Sequence, residues 1–476
     1  MFCGFVKMIL KKGAKRMKRI TEADKLIELL EAAGFEAYYV GGCVRDLLRG
    51  KPGADIDVTT SATPDEMKEV FADLKYFETG IKHGTLTVLT PDEARRPIEI
   101  TTFRTDGVYT DNRHPDEVRF VRNLEEDLAR RDFTINAMAM DRRGNIADVF
   151  GGRDDLETGR IRAVGDPDRR FQEDALRILR ALRFAAVLGR DGQAFAIEEK
   201  TEAAMFRNKD LLRNISVERI YAELKKLIIG PYAGIVIRRY VDIFGVFIPE
   251  LLPMKGFEQH NPYHRYDVLE HCIRAMETVR GAGFVEGYQI KLAALLHDVG
   301  KPETFFRGED GVGHMYGHPA ASERLTRNIL NRLKADNETK ERVCTLVKYH
   351  DLVFQEDRRL LKKWMNRYTP EMLLEILHIK RADNQATGNM SEELAQKFNR
   401  IEEEIRTILE EQQCFSLKDL AIDGGDLITI ADAKDKGGRW IGDTLQALLD
   451  EVIEGVVPNE KEALAARAAE LLKDVQ

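Results

Sequence analysis

At 476 residues the chain is about three times a typical domain of roughly 150, which predicts two to four domains and argues against a single core. Its 43% hydrophobic and 32% charged residues are those of a soluble globular protein, and no apolar run approaches the roughly 20 residues that a membrane span needs. The net charge of -8 gives no global signal for nucleic acid, because such binding depends on local basic surface.

Five cysteines, Cys3, Cys43, Cys272, Cys344 and Cys414, stand far apart with no C-x-x-C spacing. This argues against a disulfide framework and a cysteine zinc site, and fits a reducing cytoplasm. The first sixteen residues, MFCGFVKMILKKGAKR, are basic and partly apolar, but Lys7 interrupts the apolar part and no small-residue cleavage site follows. They read as an extension, not a signal peptide, with Met17 as an alternative start just before the helix-like ITEADKLIELLEAAG.

Next come EAYYVGG, ADIDVTT, GTLTVLT, IEITTFR and VRFV, short β-rich runs bounded by Gly, Pro or Asp, with a helical stretch near PDEMKEVFADL. They predict a mixed α/β region up to about Gly165. Beyond Asp166 strand signals almost vanish, and FQEDALRILRALRFAAVLG and SVERIYAELKKLIIG space their apolar residues by three and four. The rest of the chain is therefore expected to be nearly all helix. PELLPMKGFEQHNPYHRYD, with three prolines, reads as a linker into a third unit, and RADNQATGNMSEE reads as its exit.

The stretch GGCVRDLLRGKPGADIDV, Gly41 to Val58, carries the first chemistry. On a strand, residues two apart share a face, so Asp55 and Asp57 would present two carboxylates side by side while Ile56 packs inward. Paired carboxylates repel unless a cation sits between them, and Mg²⁺ commonly takes one or two carboxylates plus substrate phosphates. Gly41 and Gly42 end a strand and let backbone approach a ligand, with N–H groups and Arg45 available to phosphate oxygens.

Glycine turn, helix with an inward arginine, then carboxylate strand resembles the polymerase-β type of nucleotidyltransferase superfamily, in particular class II tRNA nucleotidyltransferases and the related bacterial poly(A) polymerases. By that resemblance Asp55, Asp57 and Glu99 in IEITTFR are the catalytic carboxylates, and Gly41, Gly42 and Arg45 bind the nucleotide. TDGVYTDNRHPDEV resembles the family's flexible loop for adding the terminal adenosine, with Arg113-His114 where members often have two arginines. RRDFTINAMAMD resembles the ribose and triphosphate motif, in which Arg130, Arg131, Asp132 and Asn136 contact the nucleotide; arginine forks suit phosphate and Asp and Asn suit hydroxyls. EDALRILRALRF is expected to be one helix with Asp174 and Arg177 on one face. In the family this helix reads the Watson–Crick edge of C or A. DVFGGRDDL resembles the hinge from head to neck.

Eight of the ten histidines lie between Gly256 and Ala386. His297-Asp298 ends the apolar helix in AALLHDVGK, and a buried adjacent His-Asp pair is costly unless bonded or bound to metal. It resembles the HD superfamily of metal-dependent phosphohydrolases, which implies a metal site of His271, His297, Asp298 and Asp383. Lys301, His318 and His350 match positions that hold substrate phosphate or a second metal in some HD enzymes.

The resemblances imply an α+β fold. Its parts are an extension at 1–16, a polymerase-β-type nucleotidyltransferase head with a mixed sheet at 17–165, an all-α neck and RNA-binding body at 166–250, an all-α HD domain at 256–390, and a helical tRNA-binding tail at 391–476. The implied activity is template-independent addition or repair of the 3′-terminal CCA of tRNA from CTP and ATP. Mg²⁺ would serve the head, and Mn²⁺, Ni²⁺, Co²⁺ or Mg²⁺ the HD site, where trimming of a 3′-phosphate or 2′,3′-cyclic phosphate is the expected reaction. Neither membrane nor DNA is expected as a partner. An A-adding enzyme or poly(A) polymerase shares the motifs, and a phosphohydrolase with an RNA-binding head stands as the reading of a different class.

Overall fold

The computed structural model describes residues 20–51, 55–106, 118–260, 265–279, 287–309, 311–411, 413–431 and 438–473. The expected extension, the alternative start at Met17, His264 and the loop segment with Arg113 and His114 lie outside these residues. The chain forms two compact units, Met1–Phe247 and Ile248–Gln476.

In chain order the first unit's strands begin with β1 (Ala37–Val40), β2 (Asp57–Thr60), β3 (Tyr76–Gly80), β4 (Thr85–Leu89), β5 (Pro97–Thr102), β6 (Arg104–Asp106), β7 (Val118–Phe120), β8 (Ala139–Met140) and β9 (Ile146–Ala147). Seven of them make one mixed sheet in the order β3-β4-β5-β2-β1-β8-β9. Its one parallel pair is β2 with β5, and β6 pairs with β7 apart from it. Period two decides the faces: Leu86, Val88, Ile98 and Ile100 are buried while Glu99 is exposed. β3 carries no strand signal of its own, because YFETG places no fully buried side chain and so lacks apolar alternation.

The helix Ile20–Ala32 lays Ala23, Leu26, Ile27 and Leu30 into the core at three- and four-residue spacing. Pro64–Val70 opens with Pro64 and a Thr63/Glu66 capping box, which satisfies its first amides. After β9 the unit is mainly helical, with a buried helix Leu176–Val187 packed by Val217–Ile228 and Ala233–Phe244. Strand returns only as two-residue pieces, such as Gly189–Arg190 paired with Gln193–Ala194. Gly152 in the expected hinge allows a close approach, since a Cβ there would stand 2.1 Å from the Thr134 carbonyl oxygen.

In the second unit the helices Val268–Thr278, Tyr288–Leu296, His318–Arg332, Asn337–Tyr349 and Pro370–Ala386 pack around Leu292, Leu296, Val347 and Leu377. A separate apolar cluster of Leu427, Leu448, Leu449 and Leu464 organises the last helices. Two expected linkers are partly structured. Pro249–Met254 winds into a 3-10 helix with Leu251 and Met254 buried. The RADNQA of the expected exit belongs to Pro370–Ala386, whose buried face continues to Ala386, so the break falls after it. Among the described residues no helix is long and apolar enough to cross a membrane.

Candidate functional site

The first unit sets Gly41 just past β1, Asp57 at the start of β2 and Glu99 within β5. The parallel register sets Asp57 opposite Glu99, which makes these two carboxylates strand neighbours. Asp55 is exposed and precedes β2, so the strand expected to carry both aspartates begins only at Asp57, while Asp55 lies near enough for its charge to act on the Asp57 carboxyl. Burial pushes the Asp57 carboxyl up; Arg131 opposes this, while Glu99 and Asp55 add to it. Asp57 feels the like charge of Glu99 and Asp55, and carboxylate oxygens of this kind suit a hard divalent cation.

Gly41 turns the chain out of β1 with φ 76°, and a Cβ there would stand 3.2 Å from Arg131 Nη1 and 3.8 Å from Asp57 Oδ2. Its own amide is engaged by the Met138 carbonyl, so the free amides expected at this turn are those of the helix Gly42–Leu48 that follows. Arg45 on that helix donates to Asn136 Oδ1 at 2.7 Å and forks onto Asp46 at 3.0 and 2.9 Å.

Sequence reasoning missed the residue that orients the arginine pair. Asp127 lies in the helix Leu124–Ala129, fully buried, and accepts from Arg130 Nε at 2.9 Å and Arg131 Nη2 at 3.1 Å. Thr59 Oγ1 also donates to it, at 3.2 Å. Burial opposes its charge, but the two guanidinium groups more than offset that and hold its carboxyl below the usual range. The i,i+3 and i,i+4 spacing of Asp127 before Arg130 and Arg131 was the available signal.

Asp132 accepts from the Phe133 amide at 2.8 Å, Asn136 Nδ2 at 3.1 Å and Arg180 Nε at 2.8 Å. Burial opposes its ionisation, yet Arg180 and these donors hold it well below the usual carboxylate range. Arg45, Asn136, Asp132 and Arg180 thus form one hydrogen-bonded chain, and Arg180 is a second member that the sequence reading missed.

The structure corrects the reading of EDALRILRALRF as one helix. Pro167–Glu173 ends before Asp174, whose extended backbone (φ -145°, ψ 102°) lets Oδ1 accept the Leu176 amide of the next helix. The Asp174 and Arg177 side chains therefore do not pair. Asp174 Oδ2 accepts from Arg219 at 2.8 Å. Buried Arg177 donates to Glu173 Oε2 at 2.9 Å and to the carbonyls of Arg170 and Arg130 at 3.2 Å.

In the second unit all seven predicted side chains converge. His271 Nε2 lies 3.0 Å from Asp383 Oδ1 and 3.2 Å from His297 Nε2, and Asp298 Oδ2 stands 3.2 Å from His297 Nε2. The other oxygen, Oδ1, faces His318 Nε2 at 3.2 Å and His350 Nε2 at 3.6 Å. Asp298 is therefore shared by two groups of metal-ligating type, His271/His297/Asp298/Asp383 and Asp298/His318/His350. Lys301 Nζ approaches Asp298 Oδ2 at 2.5 Å and donates to Gln259 Oε1 at 3.0 Å.

Proton placement favours a cation at this cluster. His297, His318 and His350 each turn Nδ1 to a backbone carbonyl, at 2.8, 2.9 and 2.7 Å. A carbonyl only accepts, so the proton belongs on Nδ1 and the Nε2 lone pairs point at one another and at Asp298. Nitrogens surround both oxygens of buried Asp298, with Lys301 and His297 at Oδ2 and His318 and His350 at Oδ1. Burial pushes the His350 imidazole down to about 4, which leaves it neutral at pH 7. Converging imidazole lone pairs and a shared buried carboxylate are the donor set of a divalent metal. A cavity of about 750 Å³ opens over it, lined among others by Asp298, His318, His350 and Lys380.

Residues 37–162 match the poly A polymerase head domain family, 194–254 an RNA and SrmB binding site of polymerase A, and 319–468 the tRNA nucleotidyltransferase domain 2 family. A CCA-adding enzyme of Lactobacillus helveticus is 54% identical over 221 residues, 46% of this chain and 53% of that protein, so the chain matches about half the length of this relative. One from Enterococcus faecalis is 34% identical over 450 residues, covering 94% of this chain and 95% of the relative. The crystal structure of the Bacillus stearothermophilus CCA-adding enzyme in complex with CTP is similar at TM-score 0.70 and 30% identity, over 96% of this chain and 98% of that one.

Asp127→Asn is expected to destabilise the first unit by about 3 kcal/mol, since it leaves two guanidinium groups without their buried counter-charge. Because the folded pKa of Asp127 lies below the ordinary 3.8, its contribution is present above that value and is lost as acid lowers the pH through the depressed one. Thermal unfolding from neutral to acidic pH checks both points: the variant starts lower and loses less on acidification.

Proposed function

The chain belongs to the family of CCA-adding enzymes, and from that we propose that it adds or repairs the 3′-terminal CCA of tRNA from CTP and ATP and releases pyrophosphate. The observation that carries this reading is the Asp57–Glu99 register pair, with Asp55 and Arg131 beside it. Asp55, Asp57 and Glu99 would hold Mg²⁺, which supplies the positive charge for the triphosphate and activates the RNA 3′-hydroxyl. Gly41, the Gly42 amide and Arg45 bind the nucleotide. Arg130 and Arg131, aimed by Asp127, neutralise phosphate oxygens, and Asp132 and Asn136 take the ribose hydroxyls. The bond formed joins the 3′-oxygen to the α-phosphorus, and the bond broken frees pyrophosphate.

Base choice follows from Asp174 and Arg177. Cytosine and adenine both offer an amino donor beside a ring-nitrogen acceptor, which complements an acceptor on Asp174 and donors on Arg177. Uracil and guanine place a carbonyl where Asp174 needs a donor and are disfavoured. A C or A base would replace Arg219 on Asp174 and Glu173 on Arg177, so one pair serves two bases without a nucleic-acid template. We assign the head to 17–165, the neck and body to 166–250, the HD domain to 256–390 and the tail to 391–476, in a cytoplasmic protein.

The shared Asp298 favours a second activity. We infer that His271, His297, Asp298 and Asp383, with His318 and His350, hold divalent metal that supplies Lewis acidity for phosphoester hydrolysis. Lys301 sits by Asp298, where it would meet a substrate phosphate. Water would add to phosphorus, the P–O ester bond would break, and the leaving oxygen would take up a proton given up by the attacking water.

Offered Mg²⁺, CTP, ATP and tRNA lacking its last three nucleotides, the protein is expected to add three nucleotides and stop, as read on a sequencing gel. Addition of A alone to tRNA ending in CC, or a long A ladder, would replace this reading with the A-adding or poly(A) one. After loading with Mn²⁺, Ni²⁺, Co²⁺ or Mg²⁺, release of phosphate from RNA 3′-ends is expected and chelation abolishes it. No release with any of the four would refute the second activity.

A further inference from the structure

The hairpin of Phe306–Arg307 and Gly313–His314 leads directly into the metal-ligand cluster. Phe306 pairs with His314 across it, and Tyr316 follows two residues later. The three rings pack on one another: Phe306 to His314 at 5.3 Å, Phe306 to Tyr316 at 5.6 Å, and His314 to Tyr316 at 5.3 Å with planes 19° apart. Yet Tyr316 is 74% and Phe306 47% exposed. Such an ordered aromatic stack is expensive to leave facing water unless something else covers it.

Its position says what that is. His314 and Tyr316 line the same cavity of about 750 Å³ as Asp298, His318, His350 and Lys380. Tyr316 lies two residues before His318, about 7 Å of chain at full extension, which is the scale of one nucleotide. The Met315 carbonyl, one residue before Tyr316, accepts from His318 Nδ1 at 2.9 Å and so ties the platform to a ligand's orientation. The platform is also anchored: the Gly313 amide donates to the His260 carbonyl at 2.9 Å, and a Cβ on Gly313 would stand 2.2 Å from the Gln259 carbonyl oxygen.

We propose that Tyr316 and His314, backed by Phe306, form a base-stacking platform that makes nucleotides, and not simple phosphate esters, the substrates of the second-unit site. Any nucleobase offers a face to an aromatic ring. A base on Tyr316 leaves its sugar phosphate over the cluster, with Lys380 on the cavity wall as a cation for the phosphate. The proposal rests on the hydrolase reading for its chemistry, but the platform itself is a binding claim.

The test uses the full chain loaded with Mn²⁺, and compares adenosine 3′-monophosphate with glycerol 2-phosphate, which has no base. Wild type is expected to show a KM for the nucleotide at least about tenfold lower than for the base-free ester. Tyr316→Ala is expected to raise the nucleotide KM by about tenfold while kcat moves less than twofold, and Tyr316→Phe to restore the wild-type value. Equal KM for the two esters, or no rise in Tyr316→Ala, would overturn the platform while leaving the hydrolase in place. If neither ester is hydrolysed, the hydrolase reading fails, and equilibrium dialysis with adenosine 3′-monophosphate decides the platform. Weaker binding by Tyr316→Ala than by wild type and Tyr316→Phe supports it, and equal binding by all three rejects it.

Discussion

Parallel pairing of β2 with β5 forces Asp57 and Glu99 into adjacent register positions, and the surroundings of the first site answer that repulsion. Like charge alone would favour protonating one carboxyl, and burial adds to the tendency. Arg131 supplies the protein's own counter-charge, and its direction is set by Asp127 on the adjoining helix. Gly41 has no side chain to occupy the space into which Arg131 reaches. The glycine turn, the carboxylates and the arginine pair therefore act as one electrostatic unit. Under the proposed function, a triphosphate with its divalent cation would bring both signs of charge to it.

The second unit solves a related problem with different donors. One buried carboxylate, Asp298, serves two histidine pairs, and backbone carbonyls at i-3 keep the protons of His297, His318 and His350 on the far side of each ring. The helix ends that carry these residues are fixed by an apolar core of Leu292, Leu296, Val347 and Leu377. Carbonyl-oriented imidazoles are preorganised, so binding a cation there costs little rearrangement of the ligands.

Much of this was legible in the sequence because it is local. GGCVRDLL, DID and the His-Asp doublet carry their own geometry, and strand runs such as TLTVL and PIEITT alternate as half-buried strands do. What escaped is tertiary. Arg45 meets Asn136 across 91 residues, Arg183 meets Glu223 across 40 and Asp174 meets Arg219 across 45, none of which a spacing rule can find. The break at Asp174 was hidden because EDALRILRALRF has unbroken helical periodicity, and only the capping role of its Oδ1 ends one helix there. β3 escaped for the opposite reason, as a strand pairing on the sheet's edge with no apolar signature.

Nucleotidyl transfer, as proposed, depends on the carboxylates at the start of β2 and on β5. The most direct measurement is the rate of CMP incorporation into tRNA lacking its 3′ nucleotides by Asp57→Ala, with its thermal unfolding recorded alongside. The account predicts a fall of about a hundredfold or more in a protein that melts as wild type does. A folded variant that incorporates CMP at near the wild-type rate would contradict it.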